Sequence, residues 1–386
     1  MPGCDLLFGS DETRGSGVAE ILWTAPKQDR YESLVRPVIE EGRTYVTYDD
    51  HLVAFEVETG EEIWRRALTD DPNRSGVDGR KILHDGGPDG TLYLNDVNWI
   101  GAFRKRDGAP RWTRNYTEMT PSGLNTMAQD EAHLYLGGRG SAIQVAKANG
   151  RLVRQFPLDA YAPSGVVENT DDIDIAGGLL VVPTGFIDAA DTHTLGAVYA
   201  FDTATGALLW SEPTPERRYF FEGLQDTVWA DTDASGAVVA GDLVAVTTNS
   251  QVLGLDRATG ALVWEWFRPE ESGFWVGPTV ANGAVYAGGT TERVHKLDLA
   301  TGETVWTHRM KGSLQPIITV DEGRVYFTNN GWGELWVLDD ATGRPVWHGQ
   351  PPAHERTGEI YFSPVAVGED HLVVVGDQFV YGLSKP

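Results

Sequence analysis

The feature that most constrains the fold of this chain is a short repeated motif. An alternating apolar run leads into Asp, two residues, Thr-Gly, three residues and Trp. The complete copies are Asp202-Thr205-Gly206-Trp210, Asp256-Thr259-Gly260-Trp264, Asp298-Thr301-Gly302-Trp306 and Asp339-Thr342-Gly343-Trp347. Looser copies are Glu56-Thr59-Gly60-Trp64 and Arg104-Asp107-Gly108-Trp112, and the weakest has Asn149-Gly150 with Arg154 in place of Trp. Regular recurrence along most of a chain indicates a repeat architecture.

Each copy predicts a β-hairpin. The run before it alternates as a strand does, Thr-Gly supplies the positive φ of a tight turn, and Trp lies on the next strand. Two further short strands precede each hairpin, and four antiparallel strands make one propeller blade. With Arg154 as the exception, each blade carries one Trp that we expect to dock on its neighbour; these are Trp23, Trp64, Trp112, Trp210, Trp264, Trp306 and Trp347.

The two ends of the chain complete one further blade. Residues 372–383 contain two strands with no fourth strand after them, and the run Ala19–Trp23 stands alone near the other end. Pairing them would close the ring without an open edge. The sequence therefore predicts an all-β, eight-bladed β-propeller of four-stranded antiparallel blades. Residues 18–386 would form a single domain, and residues 1–17 a flexible tether.

The repeated motif resembles that of the quinoprotein-type propellers, an eight-bladed family with tryptophan-docking repeats. The repeats also look like those of BamB-type outer-membrane assembly lipoproteins and of propeller domains attached to some bacterial kinases. The resemblance implies that each Trp packs across to the next blade. It covers residues 18–386 and explains the fold, whereas function depends on the site.

Pyrroloquinoline quinone (PQQ) dehydrogenases belong to the same family, so the resemblance raises an enzymatic alternative. Many of those enzymes hold PQQ beneath a ring formed by adjacent cysteines, with a calcium or lanthanide ion and a catalytic Asp. This chain has one cysteine, Cys4. The sequence therefore argues against PQQ and predicts no cofactor and no metal.

The net charge of the chain limits the classes of partner that it can bind. The chain has 31 basic and 56 acidic residues, a net charge of −25. Such a surface repels a phosphate backbone, so nucleic acid is excluded as a partner. The sequence contains no run of 18 apolar residues, so it predicts no membrane-spanning helix. We expect a monomer that binds a protein partner or a small-molecule ligand in its central channel.

The position of Cys4 suggests a location. Gly3-Cys4 resembles the end of a bacterial lipoprotein signal, although the basic and apolar stretch of such a signal is absent from this sequence. If a signal was trimmed, Cys4 is lipidated and the protein is an extracytoplasmic envelope lipoprotein with a possible lipid anchor to the membrane. If Met1 is the true start, the alternative is a cytoplasmic protein.

Polar residues at the starts of the inner strands form the candidate site, because closure of a propeller brings those strands towards one axis. The ligand-binding candidates are Arg36, His84, Asn125, Asp172, Trp275, Gln315 and Tyr361. The candidates for acid–base catalysis are His84, Asp85, Asp171, Asp172 and Tyr361. A channel lined by hydrated polar side chains remains the simpler interpretation of both sets.

Two aromatic segments form a second candidate surface. Residues 217–221 read Arg-Arg-Tyr-Phe-Phe within a long insertion, and Gly273-Phe274-Trp275 precedes a later blade. Together they would form one rim of a binding surface, since Arg and aromatic residues often anchor partners. Alternatively, the insertion covers its own blade.

These observations favour a non-enzymatic binding or scaffold module. From the position of Cys4 we expect this module to lie in the cell envelope. The alternative from another class is a cofactor-independent enzyme, a lyase, cyclase or hydrolase, acting on a small molecule at the channel mouth. A PQQ-dependent dehydrogenase comes third.

Overall fold

The repeat motif forms the turn between the third and fourth strands of a blade. In one copy, Oδ1 of Asp256 accepts hydrogen bonds from the backbone N–H of Thr259 at 2.8 Å and from its hydroxyl at 2.7 Å. Gly260 follows with a φ of 77°, which glycine adopts without a steric cost. The same Asp–Thr bonds recur in the three other complete copies. The motif is therefore a turn signal.

The computed structural model describes residues 19–28, 35–74, 81–86, 90–118, 124–161, 169–170, 172–187, 194–221, 223, 225–271, 273–274, 276–314, 317–329, 331, 333–349 and 363–386. These residues form an eight-bladed β-propeller of antiparallel blades, as the sequence predicts. They fall into two compact units. One runs up to Asn115 and resumes at Lys311, and the other is Tyr116–Met310. Whether residues 18–386 act as one domain stays a prediction, and the predicted tether of residues 1–17 lies outside the described residues.

The first unit contains four blades, numbered 1, 2, 7 and 8 in chain order. The strands of each blade are named below in their order across the sheet, from the first to the fourth. Blade 1 is Val38–Glu40, Arg43–Tyr48, His51–Glu56 and Glu62–Ala67; blade 2 is Lys81–Asp85, Thr91–Asp96, Trp99–Arg104 and Pro110–Asn115. Blade 7 is Thr319–Asp321, Arg324–Thr328, Leu335–Asp339 and Pro345–Gly349; blade 8 is Ala366–Val367, His371–Val375, Phe379–Ser384 and, as fourth strand, Ile21–Pro26.

The second unit contains blades 3 to 6. Blade 3 is Leu124–Gln129, His133–Gly138, Ser141–Ala146 and Leu152–Pro157; blade 4 is Asn169–Thr170 with Asp174–Ala176, then Leu179–Ile187, Thr194–Asp202 and Leu208–Pro213. Blade 5 is Ala234–Ala240, Leu243–Thr248, Gln251–Asp256 and Leu262–Phe267; blade 6 is Thr279–Ala281, Ala284–Gly288, Arg293–Asp298 and Thr304–Arg309. A hairpin, Arg218–Phe221 with Asp226–Trp229, precedes blade 5, and a 3-10 turn, Pro269–Glu271, follows it.

Blade 8 is built from both ends of the chain, which confirms the predicted closure. Ile21–Pro26 pairs antiparallel with Phe379–Ser384 and becomes the outermost strand of that sheet. The backbone N–H of Glu20 also donates to Oγ of Ser384 at 2.9 Å, across a sequence separation of 364. The N-terminal strand thus occupies the position that the fourth strand has in every other blade.

Blade 4 departs from the regular pattern. Its first strand is divided into Asn169–Thr170 and Asp174–Ala176, which both pair with the second strand. The second and third strands are nine residues long and pair from Leu179 with Asp202 to Ile187 with Thr194. These two strands are longer than the second and third strands of the other blades.

The hydrophobic core lies between the faces of neighbouring blades. In the first unit, Leu52 of blade 1 and Leu92 of blade 2 belong to one fully buried cluster. In the second unit, Val198 of blade 4 packs in a cluster with Val246 of blade 5. Alternating residues of each strand supply these faces, because successive side chains of a strand point to opposite sides of the sheet.

Candidate functional site

The tryptophan of the motif lies against the following blade. Its indole Nε1–H donates to the backbone carbonyl of the residue that follows the third strand there. These bonds run from Trp23 to Val57, Trp64 to Lys105, Trp210 to Arg257 and Trp264 to Leu299, at 2.7 to 2.9 Å. The other three tryptophans of the set, Trp112, Trp306 and Trp347, are buried.

The docked ring covers the glycine of the next turn. A Cβ atom on Gly260 would lie 2.5 Å from the ring of Trp210, and one on Gly302 would lie 2.4 Å from that of Trp264. Such distances are too short for any side chain. The Thr-Gly glycine is therefore required twice, for its positive φ and for the approach of the indole.

Arg154 takes the place of the tryptophan in blade 3. Its guanidinium donates to the carbonyl of Thr205 at 2.6 Å and to that of Ala204 at 2.8 Å. A Cβ on Gly206 would lie 2.7 Å from the Arg154 side chain. The sequence suggests a weak joint here, whereas the arginine makes two hydrogen bonds where each tryptophan makes one.

Cations directly after the third strand bind the preceding blade. Lys385 Nζ contacts Asp321 at 2.6 Å and Glu322 at 3.0 Å in blade 7. Arg257 donates to the carbonyl of Ala176 in blade 4 at 2.8 Å. Sequence reasoning missed these residues, because only Arg257 follows the Asp of a complete motif. Arg257 contacts blade 4 twice, since its carbonyl accepts from Trp210 and its side chain donates to Ala176.

Lys105 belongs to the same group and determines what Asp85 does. Its Nζ pairs with Glu40 of blade 1 and with Oδ1 of Asp85 at 2.5 Å. Burial alone would lower the pKa of Lys105, but its bonds to Asp85 and Glu40 outweigh burial and raise it. His84 precedes Asp85 on the first strand of blade 2 and is partly buried. The structure thus places Asp85 in an ion pair within blade 2, on a lysine that also binds Glu40 of blade 1.

Asp172 joins three blades of the second unit. Its carboxylate accepts a hydrogen bond from the backbone N–H of Gly277 at 3.0 Å, just before blade 6. Its backbone carbonyl accepts one from Ala237 of blade 5 at 2.9 Å, next to a parallel bridge with Gly236. A Cβ on Gly236 would lie 2.2 Å from Cα of Gly277, so the backbones touch here. Asp172 therefore has a structural task in addition to any contact with a ligand.

Arg36 differs from these residues. It lies before the first strand of blade 1, its side chain is exposed, and no hydrogen bond or ion pair joins it to another described residue. Protein around the guanidinium removes part of its hydration, and this desolvation lowers the pKa of Arg36.

The remaining candidates are only partly described. The backbone of Asn125 lies at a register shift between the first and second strands of blade 3. Outside the described residues lie Cys4, Asp171, Trp275, Gln315 and Tyr361. The structure therefore brings Arg36, His84 and Asp85 into blades 1 and 2, which adjoin through their first strands, and Asp172 into the second unit.

Metal-binding clusters and membrane-spanning helices are both absent from the described residues. They contain no group of three or more His, Cys, Asp and Glu side chains that could hold a metal ion. Within the same ranges, no helix is long and apolar enough to cross a membrane.

The aromatic insertion forms the hairpin of residues 218–221 and 226–229, in which Arg218 lies opposite Trp229 and Phe220 opposite Thr227. Phe220 is 57 % exposed and Trp229 41 %. The predicted rim is only partly present, because Phe274 is fully buried against Trp266 and His295. Sequence reasoning missed the second hairpin strand, which alternating residues 226–229 after a four-residue connection could have indicated.

The sequence profile of a family described as outer membrane protein assembly factor BamB matches residues 17–265 and 249–384 of this chain. The chain belongs to the BamB family. This agrees with the resemblance carried by the repeats.

A curated relative is quinohemoprotein alcohol dehydrogenase from Comamonas testosteroni. It is 30 % identical over 99 residues, which span 22 % of this chain and 14 % of that enzyme. The match therefore covers a small part of either protein, and its likeness to this BamB-family chain is local.

Solved structures share the whole fold. BamB from Moraxella catarrhalis has a TM-score of 0.64 at 15 % identity, covering 96 % of this chain and 98 % of that one. The quinohemoprotein alcohol dehydrogenase from Comamonas testosteroni has a TM-score of 0.68 at 13 % identity, covering 95 % and 76 %. The computationally designed Ika8 protein has a TM-score of 0.67 at 12 % identity, covering 93 % and 98 %. At these identities the likeness shows the fold alone.

Proposed function

We propose that this chain is a non-enzymatic scaffold module of the cell envelope that binds a protein partner. The observation that carries the proposal is the use made of the inner-strand carboxylates. Asp85 pairs with Lys105, which also binds Glu40 of blade 1, and Asp172 bonds to Gly277 just before blade 6. Both carboxylates are therefore engaged by other groups of the protein. A general acid or base must instead reach the proton that it transfers. Membership of a family described as an outer membrane protein assembly factor supports the same function.

The test is complementation in the source cells. A strain without the gene should contain less folded outer-membrane protein, and the double variant Asp85→Asn with Asp172→Asn should restore the wild-type amount. Asp242→Asn, which alters a turn aspartate outside the candidate set, is the control. Failure of the double variant to complement, with an unchanged melting temperature, would show that the carboxylates have a chemical role and would overturn the proposal.

The related dehydrogenases require a fit test for PQQ with its metal ion. Among the described residues no three metal-ligating side chains converge, and the described carboxylates of the candidate set are already bonded to protein. These residues do not fit the group, and we propose that the chain works without it. Incubation with PQQ and calcium should give no dye-linked oxidation of alcohols or sugars. Tight PQQ binding with turnover would restore the oxidoreductase alternative.

The envelope location rests on the family and on Cys4. We propose that Cys4 carries a lipid that anchors the protein to a membrane, since a small residue before cysteine is typical of lipoprotein processing sites. When the complete gene is expressed with an alkyne-labelled fatty acid, the wild-type protein should be labelled and the Cys4→Ser variant should not. Equal labelling of both would exclude this anchor.

A second candidate function is the binding of a small anionic molecule. Arg36 favours it, because its guanidinium, which surrounding protein partly desolvates, pairs with no other described residue. His84 lies on the first strand of blade 2, which contacts the first strand of blade 1, and would contribute a second polar group. Arg36→Gln and His84→Gln should then weaken binding of a small dicarboxylate while the melting temperature stays the same. Unchanged binding in both variants would exclude this site.

A further inference from the structure

The hairpin of residues 218–229 is held firmly at its base. The backbone N–H of Ala230 donates to the carbonyl of Arg217 at 2.8 Å, and the Arg217 guanidinium pairs with Glu265 of blade 5. Gln251, which is fully buried, donates to the carbonyl of Pro215 at 2.8 Å and to Glu265 at 3.1 Å. The ribbon therefore starts from ordered contacts with blade 5.

A second set of bonds holds the other end of the base. Oδ2 of Asp231 accepts from Asn249 at 2.7 Å, and its Oδ1 accepts from the hydroxyl of Thr194 at 2.6 Å. Ser250 donates to the Asp231 carbonyl at 2.6 Å. Ordering a loop on binding costs free energy, so a ribbon fixed in advance is suited to binding.

One face of the ribbon is exposed along its whole length. It carries Arg218, Phe220, Thr227 and Trp229, all of them exposed. The guanidinium of Arg218 lies over the ring of Trp229, 5.1 Å from its centroid, and donates to the carbonyl of Thr227 at 3.0 Å. Among the described residues, no carboxylate pairs with Arg218. Among the described residues, this face of an acidic chain thus presents a cation that lies on an aromatic ring and has no carboxylate partner.

The ribbon is also a sheet of only two strands. Within the described ranges no third strand pairs with Arg218–Phe221 or with Asp226–Trp229. A strand edge offers backbone N–H and C=O groups to an extended chain, and alternate side chains of that chain then meet those of the edge strand. Beside Arg218–Phe221, the positions facing Arg218 and Phe220 would be two residues apart.

We propose that the edge strand Arg218–Phe221 binds an extended segment of a partner protein in which a carboxylate and an apolar side chain stand two residues apart, on the same face of the segment. The carboxylate pairs with Arg218, and the apolar side chain covers Phe220. This inference rests on the proposed scaffold function and names the partner chemistry. A lipid or nucleic-acid phosphate fits less well, because Glu216 and Asp226 flank the ribbon and the whole chain carries a charge of −25.

The test uses two fluorescein-labelled ten-residue peptides with the full chain. In the first, the Glu–Val peptide, serine separates Glu from Val so that these two stand two residues apart, and in the second Lys replaces each Glu. Anisotropy should show about tenfold tighter binding of the Glu–Val peptide, and Arg218→Glu should abolish that preference. Phe220→Ala should weaken the binding of both peptides. Arg114→Glu reverses an exposed arginine in blade 2 and Leu209→Ala truncates another exposed apolar residue, so neither control should change binding.

Three outcomes would overturn the inference. They are no binding of the Glu–Val peptide, equal affinity for the two peptides, and retention of the preference in Arg218→Glu. Arg218→Gln provides a second variant if the reversal disturbs folding. Binding to phosphatidylglycerol vesicles that depends on Phe220 would instead indicate a lipid surface. If Arg218→Glu complements the gene deletion fully, the docking inference fails while the scaffold function stands.

Discussion

The joint between blades 3 and 4 and the joint between blades 4 and 5 use different side chains at the same repeat position. At the second joint, Trp210 is 7 % exposed and donates one hydrogen bond, at 2.9 Å, to Arg257. At the first, Arg154 is less buried and donates two. Both side chains lie on the glycine of the next turn. The position therefore requires a flat group with a hydrogen-bond donor, which indole and guanidinium both provide.

The two joints differ in what surrounds that group. Between blades 3 and 4, Phe156 and Phe201 have ring centroids 5.3 Å apart, and Tyr161 lies 6.0 Å from Phe201. These three rings pack together at the joint that has no docking tryptophan. We infer that aromatic side chains outside the repeat position support this joint.

The strongest test of this comparison removes a whole joint. A chain that lacks residues 1–26 loses Trp23 and the fourth strand of blade 8, so that the edge of Phe379–Ser384 is exposed. We expect a large fall in melting temperature and aggregation. A chain that lacks only residues 1–17 is the control and should melt as the full chain does. A melting temperature within about 2 °C of the full chain for the longer truncation would contradict the role assigned to this strand.

A single tryptophan should have the next largest effect. Trp264→Ala removes a buried indole that contacts Gly302 and donates to Leu299. A loss of about 3–5 kcal/mol in the free energy of unfolding is expected, because the large side chain leaves a cavity. The neighbouring Val263 is 53 % exposed, and Val263→Ala should change stability little. Chemical denaturation measures the free energy of unfolding of the wild type and of both variants. Equal stability of all three proteins would refute the docking function of Trp264.

The arginine joint should be affected less. Arg154→Ala removes two hydrogen bonds from a partly exposed group, and about 1 kcal/mol of unfolding free energy is expected to be lost. Arg154→Lys should lose nearly as much, because an ammonium group cannot lie flat on Gly206 and reach both carbonyls. If Arg154→Ala costs as much as Trp264→Ala, the surrounding aromatic rings do not carry this joint.

The smallest expected effect concerns the turn aspartates. The hydrogen bonds from Thr259 hold the pKa of Asp256 below its ordinary value of 3.8. The unfolded chain therefore binds this proton more tightly, so the carboxylate contributes stability above pH 3.8 that is lost as pH falls through the lower folded pKa. Asp256→Asn should show a smaller fall in melting temperature than the wild type as the pH is lowered from about 5 to about 2. Identical pH profiles would remove this contribution.

Much of the fold follows from the sequence, because the Asp-x-x-Thr-Gly turn is local. Its aspartate, threonine and glycine satisfy one another within five residues, so the motif forms the same turn wherever it occurs. The division of the first strand in blade 4 was not predictable in this way. It depends on bonds from Asp172 to Ala237 and Gly277, which lie 65 and 105 residues away.

The candidate site was predicted less well than the fold. Its position along an inner strand was enough to single out Asp85. Its partner Lys105 follows the third strand of the same blade, and the sequence did not indicate this pairing. The composition of residues 217–221 was enough to single out the aromatic insertion. Exposure of Phe220 and burial of Phe274 depend on the packing around each segment, which no local pattern records.

The pairing of the first strand with the last sets an order for assembly. Residues 116–310 form one continuous unit, so every contact within it is available once Met310 has been synthesised. The other unit is interrupted, and Ile21–Pro26 must wait for Phe379–Ser384 before blade 8 can exist. Joining such distant segments carries a high entropic cost and is slow. The nascent chain therefore holds Ile21–Pro26 without its partner until residues 379–384 have been synthesised, and the second unit has time to fold first.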